Sequence, residues 1–302
     1  MSTNVTIETR QAKPAAAGAG HGSEMGVRHG EGFGRYWALV LLVVAALLTL
    51  FPFFLAAINA IKTPADYGAN GPIALPRSFD LSALFAFWTG VEFGRKLWNS
   101  VLISGCVAFF GVAISLLNAY ALGIGKVRGR NLILIVLMLG IMVPQESLVY
   151  PIYYIAKSVG LYDTRLSVII VFTVLQSAFG TYMLSAVLTQ FPREIIDAAE
   201  IDGASRFQVL WHVVIPVLRP TLTVLGTFFF IWTWNEFLLP LVLLISNDNQ
   251  NVSVAMGTLH GQHVSDPTTT AAAALLGIVP TVVFFLVFQR TLMRGVTVGA
   301  VK

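Results

Sequence analysis

The sequence predicts an all-α, polytopic membrane protein with six transmembrane helices, and three observations predict it. Of 302 residues, 56% are hydrophobic and only 11% are charged, whereas soluble chains carry roughly a quarter charged residues. The mean hydropathy of +0.76 agrees. The apolar residues are also not dispersed: they gather in charge-free runs long enough to cross a bilayer, separated by short segments that hold nearly all the charge.

Taken in order, residues 1–34 are rich in Ala, Gly and polar residues and have no apolar core, so a disordered cytoplasmic tail is expected. A signal peptide would need an apolar stretch near the start, and the first begins only at Trp37. From Trp37 to Ile61 no charge occurs, and as a helix this run is about 37 Å long, enough for a first span with a kink expected at Pro52. A polar connection, 62–96, comes next. Its Phe85, Phe87 and Trp88 read as an interfacial aromatic belt. Span two covers 97–125 and ends at the basic turn Lys126–Arg130. Span three, 131–156, is interrupted by Pro144-Gln145-Glu146, and a short connection leads to span four, 166–191. After a polar loop at 192–220, span five (220–246) carries Trp234-Asn235-Glu236 well inside it. A second polar loop, 247–268, precedes span six at 268–290. Residues 35–302 thus form one transmembrane domain after the tail.

Charge sets the orientation. With both ends inside, cytoplasmic segments hold 13 of the 19 Lys and Arg residues, including Lys126, Arg128, Arg130, Arg193, Arg206 and Arg219. The other side holds six: Lys62, Arg77, Arg95, Lys96, Lys157 and Arg165. The positive-inside rule places both termini and the 192–220 loop in the cytoplasm.

Other function classes fit poorly. The net charge of +4 comes without a basic stripe interleaved with exposed aromatics, so nucleic acid is not an expected partner. The single cysteine, Cys106, lies in an apolar run and reads as a packing residue. The five histidines lack ligand spacing, and no metal is expected. Gly123-Ile-Gly-Lys126 lacks the first glycine and the Ser/Thr of a Walker A motif. The chain is therefore not expected to be an enzyme or to carry a cofactor. If ATP drives it, the ATP and Mg sit on a partner.

The loop Pro192–Pro220 is the longest polar interruption, and four acids, Glu194, Asp197, Glu200 and Asp202, lie in its first half. Ile195, Ala198 and Ala199 share one helical face, and Phe207, Leu210 and Trp211 share another further on. Gly203 and Ala204 between them permit a sharp corner. Pro216 and Pro220 are expected to stop or kink the helix in which they stand. Two short helices at an angle would suit a groove on another protein, although the pattern alone also fits an ordinary solvated loop.

The order Asp197-Ala198-Ala199, Asp202-Gly203-Ala204, Ile215-Pro216 resembles the EAA loop of ABC-importer permeases, with Asp197 where that family usually has Glu. Asn99-Ser100, Trp234-Asn235-Glu236-Phe237 and the terminal Arg294–Lys302 look like the smaller permease subunit of maltose-type, carbohydrate-uptake importers. The resemblance implies the type I importer permease fold in a prokaryotic cytoplasmic (inner) membrane. It also implies a second homologous permease, two cytoplasmic ATPases and an extracytoplasmic solute-binding protein as partners. On that resemblance Glu194, Asp197, Ala198, Ala199, Asp202, Gly203, Ala204, Phe207 and Pro216 would couple the chain to an ATPase. The 247–268 loop would reach toward the binding protein.

Carboxylates inside spans are costly unless they face protein or water. Gln145, Glu146, Tyr150, Trp234, Asn235 and Glu236 are candidates to line a hydrated substrate pathway, and equally a structural pair holding two helices together. Tyr150, Tyr153 and Tyr154 stand at helical spacing and suit either sugar stacking or packing. Importers of a glycerophosphodiester or polyol, and a proton-coupled secondary transporter, remain as alternatives at this level. The transporter alternative lacks the internal repeat such proteins show.

Overall fold

Charge-free apolar runs become helices because only internal hydrogen bonding satisfies a backbone in hydrocarbon. The computed structural model describes residues 31–125, 127–262 and 266–300, with side chains described within 36–125, 127–257 and 266–289. The expected tail therefore lies outside the described residues except for 31–34, which already open a helix.

The chain divides into two units, 1–50 and 51–302. Helix α1 (Glu31–Ala60) begins in the first and ends in the second, running through Pro52 without interruption. Two short helices, α2 (Pro64–Asn70) and α3 (Ser82–Gly90), come after it. Thr63 caps α2 by accepting a hydrogen bond from the Asp66 amide at 3.1 Å.

The second unit is organised around three long helices: α4 (Phe93–Gly123), α7 (Arg165–Thr189) and α10 (Ile215–Asn235). Small residues decide how closely they pack. A Cβ at Gly180 of α7 would stand 2.3 Å from Ser115 Oγ on α4 and 2.9 Å from the Phe229 ring of α10. One at Gly111 would meet the same ring at 2.9 Å. Phe229 thus fills the space two glycines vacate, and Leu116, Leu184, Leu188, Leu218 and Leu225 complete this core. Polar groups thread the same packing: Gln176 Nε2 donates to Thr233 Oγ1 at 2.8 Å, and Ser115 Oγ to the Ser177 carbonyl at 3.2 Å.

Three sequence expectations need correction. Span three is not one rod. Helix α5 (Arg130–Met142) and the segment Gln145–Ser158, a 3₁₀ turn leading into α6 (Val149–Ser158), meet at 90°. Pro144, which lacks an amide hydrogen and pushes Val143 to extended geometry, stands at the break. The described residues accordingly contain five helices long and apolar enough to span, or six if this bent pair counts as one. Span five begins earlier than expected and stops sooner. Helix α10 closes at Asn235, and α11 (Leu238–Leu243) is a separate short helix. The expected polar loop 247–268 contains α12 (Val252–Gln262), whose Val252, Val254 and Ala255 are buried. Its weak apolar periodicity hid it in the sequence. Finally, α13 (Pro267–Ala300) starts at an Asp266 cap that accepts from the Thr268 amide at 3.0 Å.

Candidate functional site

The elbow is the first candidate. Helix α8 (Arg193–Ile201) begins after Pro192, and its buried side chain is Ile196, with Ala199 packed partly against the bundle. Gly203 has φ +81°, the left-handed region that residues with a Cβ resist. It turns the chain into α9 (Arg206–Val209), whose start is fixed by a capping box: Ser205 and Gln208 each hold the other's backbone amide. The second helix of the elbow is not short. Through a π-helical turn, Leu210–Val214, α9 continues into α10, and neither Pro216 nor Pro220 stops it. The wider turn falls directly before Pro216, where a regular ladder would be missing a donor.

Leu210 packs inward and is buried, whereas Phe207 is 66% exposed and Trp211 52%. Their rings meet edge-on at 6.0 Å. Glu194, Asp197, Ala198, Asp202 and Gly203 are exposed, and Ile201 stands out at 85% exposure. Ala204 is half-buried against the core and Pro216 is exposed. The elbow thus presents acids and apolar side chains outward together. One hydrogen bond ties it to the end of α4, from the Tyr120 hydroxyl to the Arg206 carbonyl at 2.9 Å.

The second candidate lies at the two broken spans. Helices α6 and α11 pack against each other, which brings the break at Pro144–Leu148 near the break after Asn235. Glu146 is exposed, and it is the charged side chain acting most strongly on half-buried Glu236. Backbone amides of Phe237, Leu238 and Leu239 face the Glu236 carboxylate. Gln145 Oε1 is buried without a hydrogen-bond partner. Tyr150 is 70% exposed, and its hydroxyl meets that of Tyr154 at 3.0 Å. Trp234 is placed apart from the acids. It stacks on Phe230 at 5.7 Å and lines an apolar hollow of about 400 Å³ with Phe284 and Phe288. Asn235 borders the same hollow, and its Nδ2 donates to the Ile231 carbonyl of its own helix at 2.8 Å.

Sequence reasoning missed a third arrangement, at the far end of the bundle from the elbow. Asn99 of α4, fully buried, donates to the carbonyls of Asp248 and Gln250 at 2.7 and 2.9 Å and accepts from Arg165 at 3.1 Å. Lys96 Nζ donates to both the carbonyl and Oδ1 of Asn247 at 2.6 Å, and Ser100 Oγ accepts from the Val252 amide at 2.9 Å. Asp163 accepts from the Ile245 and Ser246 amides at 2.9 Å. Burial pushes the Asp163 carboxyl up, but hydrogen bonds from Ser246, Asn249 and Ile245 outweigh it and hold the group below the usual carboxylate range. Together these residues clasp the segment joining α11 to α12. Asn99-Ser100 was the one visible signal. Its partners lie some 150 residues further along the chain.

Comparison with known proteins places these features in context. Residues 111–298 match the family described as binding-protein-dependent transport system inner membrane component. The chain is 30% identical to the trehalose transport system permease protein SugB of Mycobacterium tuberculosis, over 88% of this chain and 97% of that one. It is 28% identical to the diacetylchitobiose uptake system permease protein DasC of Streptomyces coelicolor, over 89% and 98%. Its fold is similar to a chain in the crystal structure of a bacterial ABC transporter that imports the acidic polysaccharide alginate. There the TM-score is 0.70 at 24% identity, covering 85% of this chain and 95% of that one.

Proposed function

The chain belongs to the family of binding-protein-dependent transport system inner membrane components, and we propose that it is a permease subunit of an ATP-driven importer of a sugar or related carbohydrate. The observation that carries this reading is the elbow. Asp197-Ala198-Ala199, Asp202-Gly203-Ala204 and Ile215-Pro216 form a turned, outward-facing structure joined without a break to a long spanning helix. The named substrates of SugB and DasC, trehalose and diacetylchitobiose, support a carbohydrate cargo.

In this reading the elbow docks on a cytoplasmic ATPase. Ile201, Phe207 and Trp211 supply apolar contact, and Glu194, Asp197 and Asp202 supply charge. Ala198, Ala199 and Ala204 keep the approach close. Because α9 and α10 are one continuous rod, a displacement of the elbow reaches Asn235 and the break at Glu236 directly. Gln145, Glu146, Tyr150, Asn235 and Glu236 then line the pathway, with Trp234 as an apolar wall behind it. ATP and Mg belong to two partner ATPase subunits, a second homologous permease completes the pathway, and an extracytoplasmic binding protein delivers cargo to the clasped end. Both termini and the elbow lie on the cytoplasmic side of a prokaryotic inner membrane, in keeping with 13 of 19 Lys and Arg residues on that side.

The test is uptake by proteoliposomes holding this chain with its co-purified partners, assayed against a panel of neutral oligosaccharides, polyols and glycerophosphodiesters. The expected result is ATP-dependent uptake of a saccharide, stimulated by the external binding protein. Uptake driven by a proton gradient without ATP would overturn the reading.

A further inference from the structure

Behind the elbow lies a cavity of about 730 Å³, bordered by the end of α4, the end of α7 and the inner face of α8. Arg193, Arg206, Tyr120 and Thr189 line it, together with Asp197 and Glu200. Arg130, at the start of α5, reaches its edge by donating to Thr189 Oγ1 at 2.8 Å. Arg130 Nε is buried and has no hydrogen-bond partner. Among the described residues none of these three guanidiniums lies within ion-pair distance of a carboxylate. A buried guanidinium nitrogen left unpaired costs free energy that a bound anion would recover.

From this arrangement we infer that the cavity is a binding site for a phospholipid headgroup, one that carries a phosphate and, beyond it, a hydrogen-bond donor. Arg130, Arg193 and Arg206 take the phosphate. Asp197 and Glu200, which would repel a bare phosphate, accept hydrogen bonds from the hydroxyls or amine of the headgroup. The surface beside the site suits the rest of such a molecule: Leu132, Val136 and Leu139 rise along α5 from Arg130 and are 66, 58 and 59% exposed. Acyl chains can lie along them while the headgroup occupies the cavity. Basic pockets between spanning helices on the cytoplasmic side are sites of this chemistry. The position gives the site a consequence, because its walls belong both to the bundle (α4, α5, α7) and to the elbow (α8, α9). An occupant would brace one against the other.

The experiment uses the full complex of this chain with its co-purified permease and ATPase partners. Thermal unfolding is followed in detergent while phosphatidylglycerol, phosphatidylcholine or inorganic phosphate is titrated at constant ionic strength. Phosphatidylglycerol is expected to stabilise more than phosphatidylcholine. Its apparent affinity should fall roughly fivefold for each charge removed by Arg130→Gln or Arg193→Gln, and Arg130→Lys should restore much of it. Inorganic phosphate acting as well as phosphatidylglycerol would reassign the cavity to a free anion and overturn the lipid. Equal effects of the two lipids, or an unchanged affinity in the double variant, would overturn the site. Wild-type complex labelled with a headgroup photo-crosslinking phosphatidylglycerol gives an answer that needs no variant to fold. Adducts within 120–130 or 193–206 are expected, and adducts confined elsewhere refute the proposal.

Discussion

The two ends of the α4–α7–α10 bundle are built from different materials. At the clasped end, buried side chains hold the backbone of 243–252 through hydrogen bonds from Lys96, Asn99, Ser100, Asp163 and Arg165. At the elbow end, α8 is anchored by Ile196 and Ala199, and one Tyr120 hydroxyl secures α9, while most other side chains face out. Buried, mutually satisfied polar networks fix one geometry. Sparse anchoring over exposed surface leaves an element free to follow a partner. One end is made to hold still and the other to be moved.

Substitutions at the two ends should therefore fail in different ways. Asn99→Ala removes the group holding two carbonyls and the Arg165 guanidinium, and should cost about 3 kcal/mol. A large drop in the thermal midpoint of the purified complex would register it, and an unchanged midpoint would refute the clasp. Gly203→Val puts a β-branched residue at φ +81° and should reduce solute moved per ATP hydrolysed about tenfold, from about 2 kcal/mol of backbone strain at the corner. Its added atoms meet nothing within 4 Å, so the midpoint should shift little, and coupled uptake at the wild-type ratio would count against the elbow as transmitter. Tyr120→Phe keeps the ring but loses one hydrogen bond, worth about 1 kcal/mol. ATP hydrolysis should become less dependent on the binding protein while the thermal midpoint stays close to wild type.

The smallest effect is a pH dependence confined to the clasp. Asp163 is held below its ordinary value in the folded chain, so the folded state binds fewer protons than the unfolded one. Its contribution is complete above the ordinary carboxylate pKa of about 3.9 and is lost as pH falls through the lower folded value. Hydrogen exchange at the Ile245 and Ser246 amides, corrected for intrinsic rates, should show protection falling below about pH 4. In Asp163→Asn that dependence should disappear.

Much of this was legible in the sequence. Charge-free runs located the long helices because length and apolarity suffice to define a span. The elbow was legible because Asp197, Gly203 and Pro216 stand at informative spacing. Other features depend on partners that periodicity cannot reveal. Pro144 was visible, but the 90° bend depends on how α6 packs on α11. Val252, Val254 and Ala255 look unremarkable until α12 meets α4 and α13. The clasp joins residues some 150 positions apart. Pro216 does not act as a stop because a π-helical turn absorbs its missing donor.

That turn has a consequence for assembly. Five residues, Leu210–Val214, do the winding that about four would do in a regular helix, so the elbow carries a fixed rotational offset from the rod that bears it. Each residue of a helix accounts for about 100° of rotation and 1.5 Å of rise. Excising one residue there would swing Phe207, Trp211 and the acids of α8 by roughly a quarter of a turn. Every contact surface would stay intact but aim in the wrong direction. The direction in which this subunit offers its coupling face is thus written in a single surplus residue.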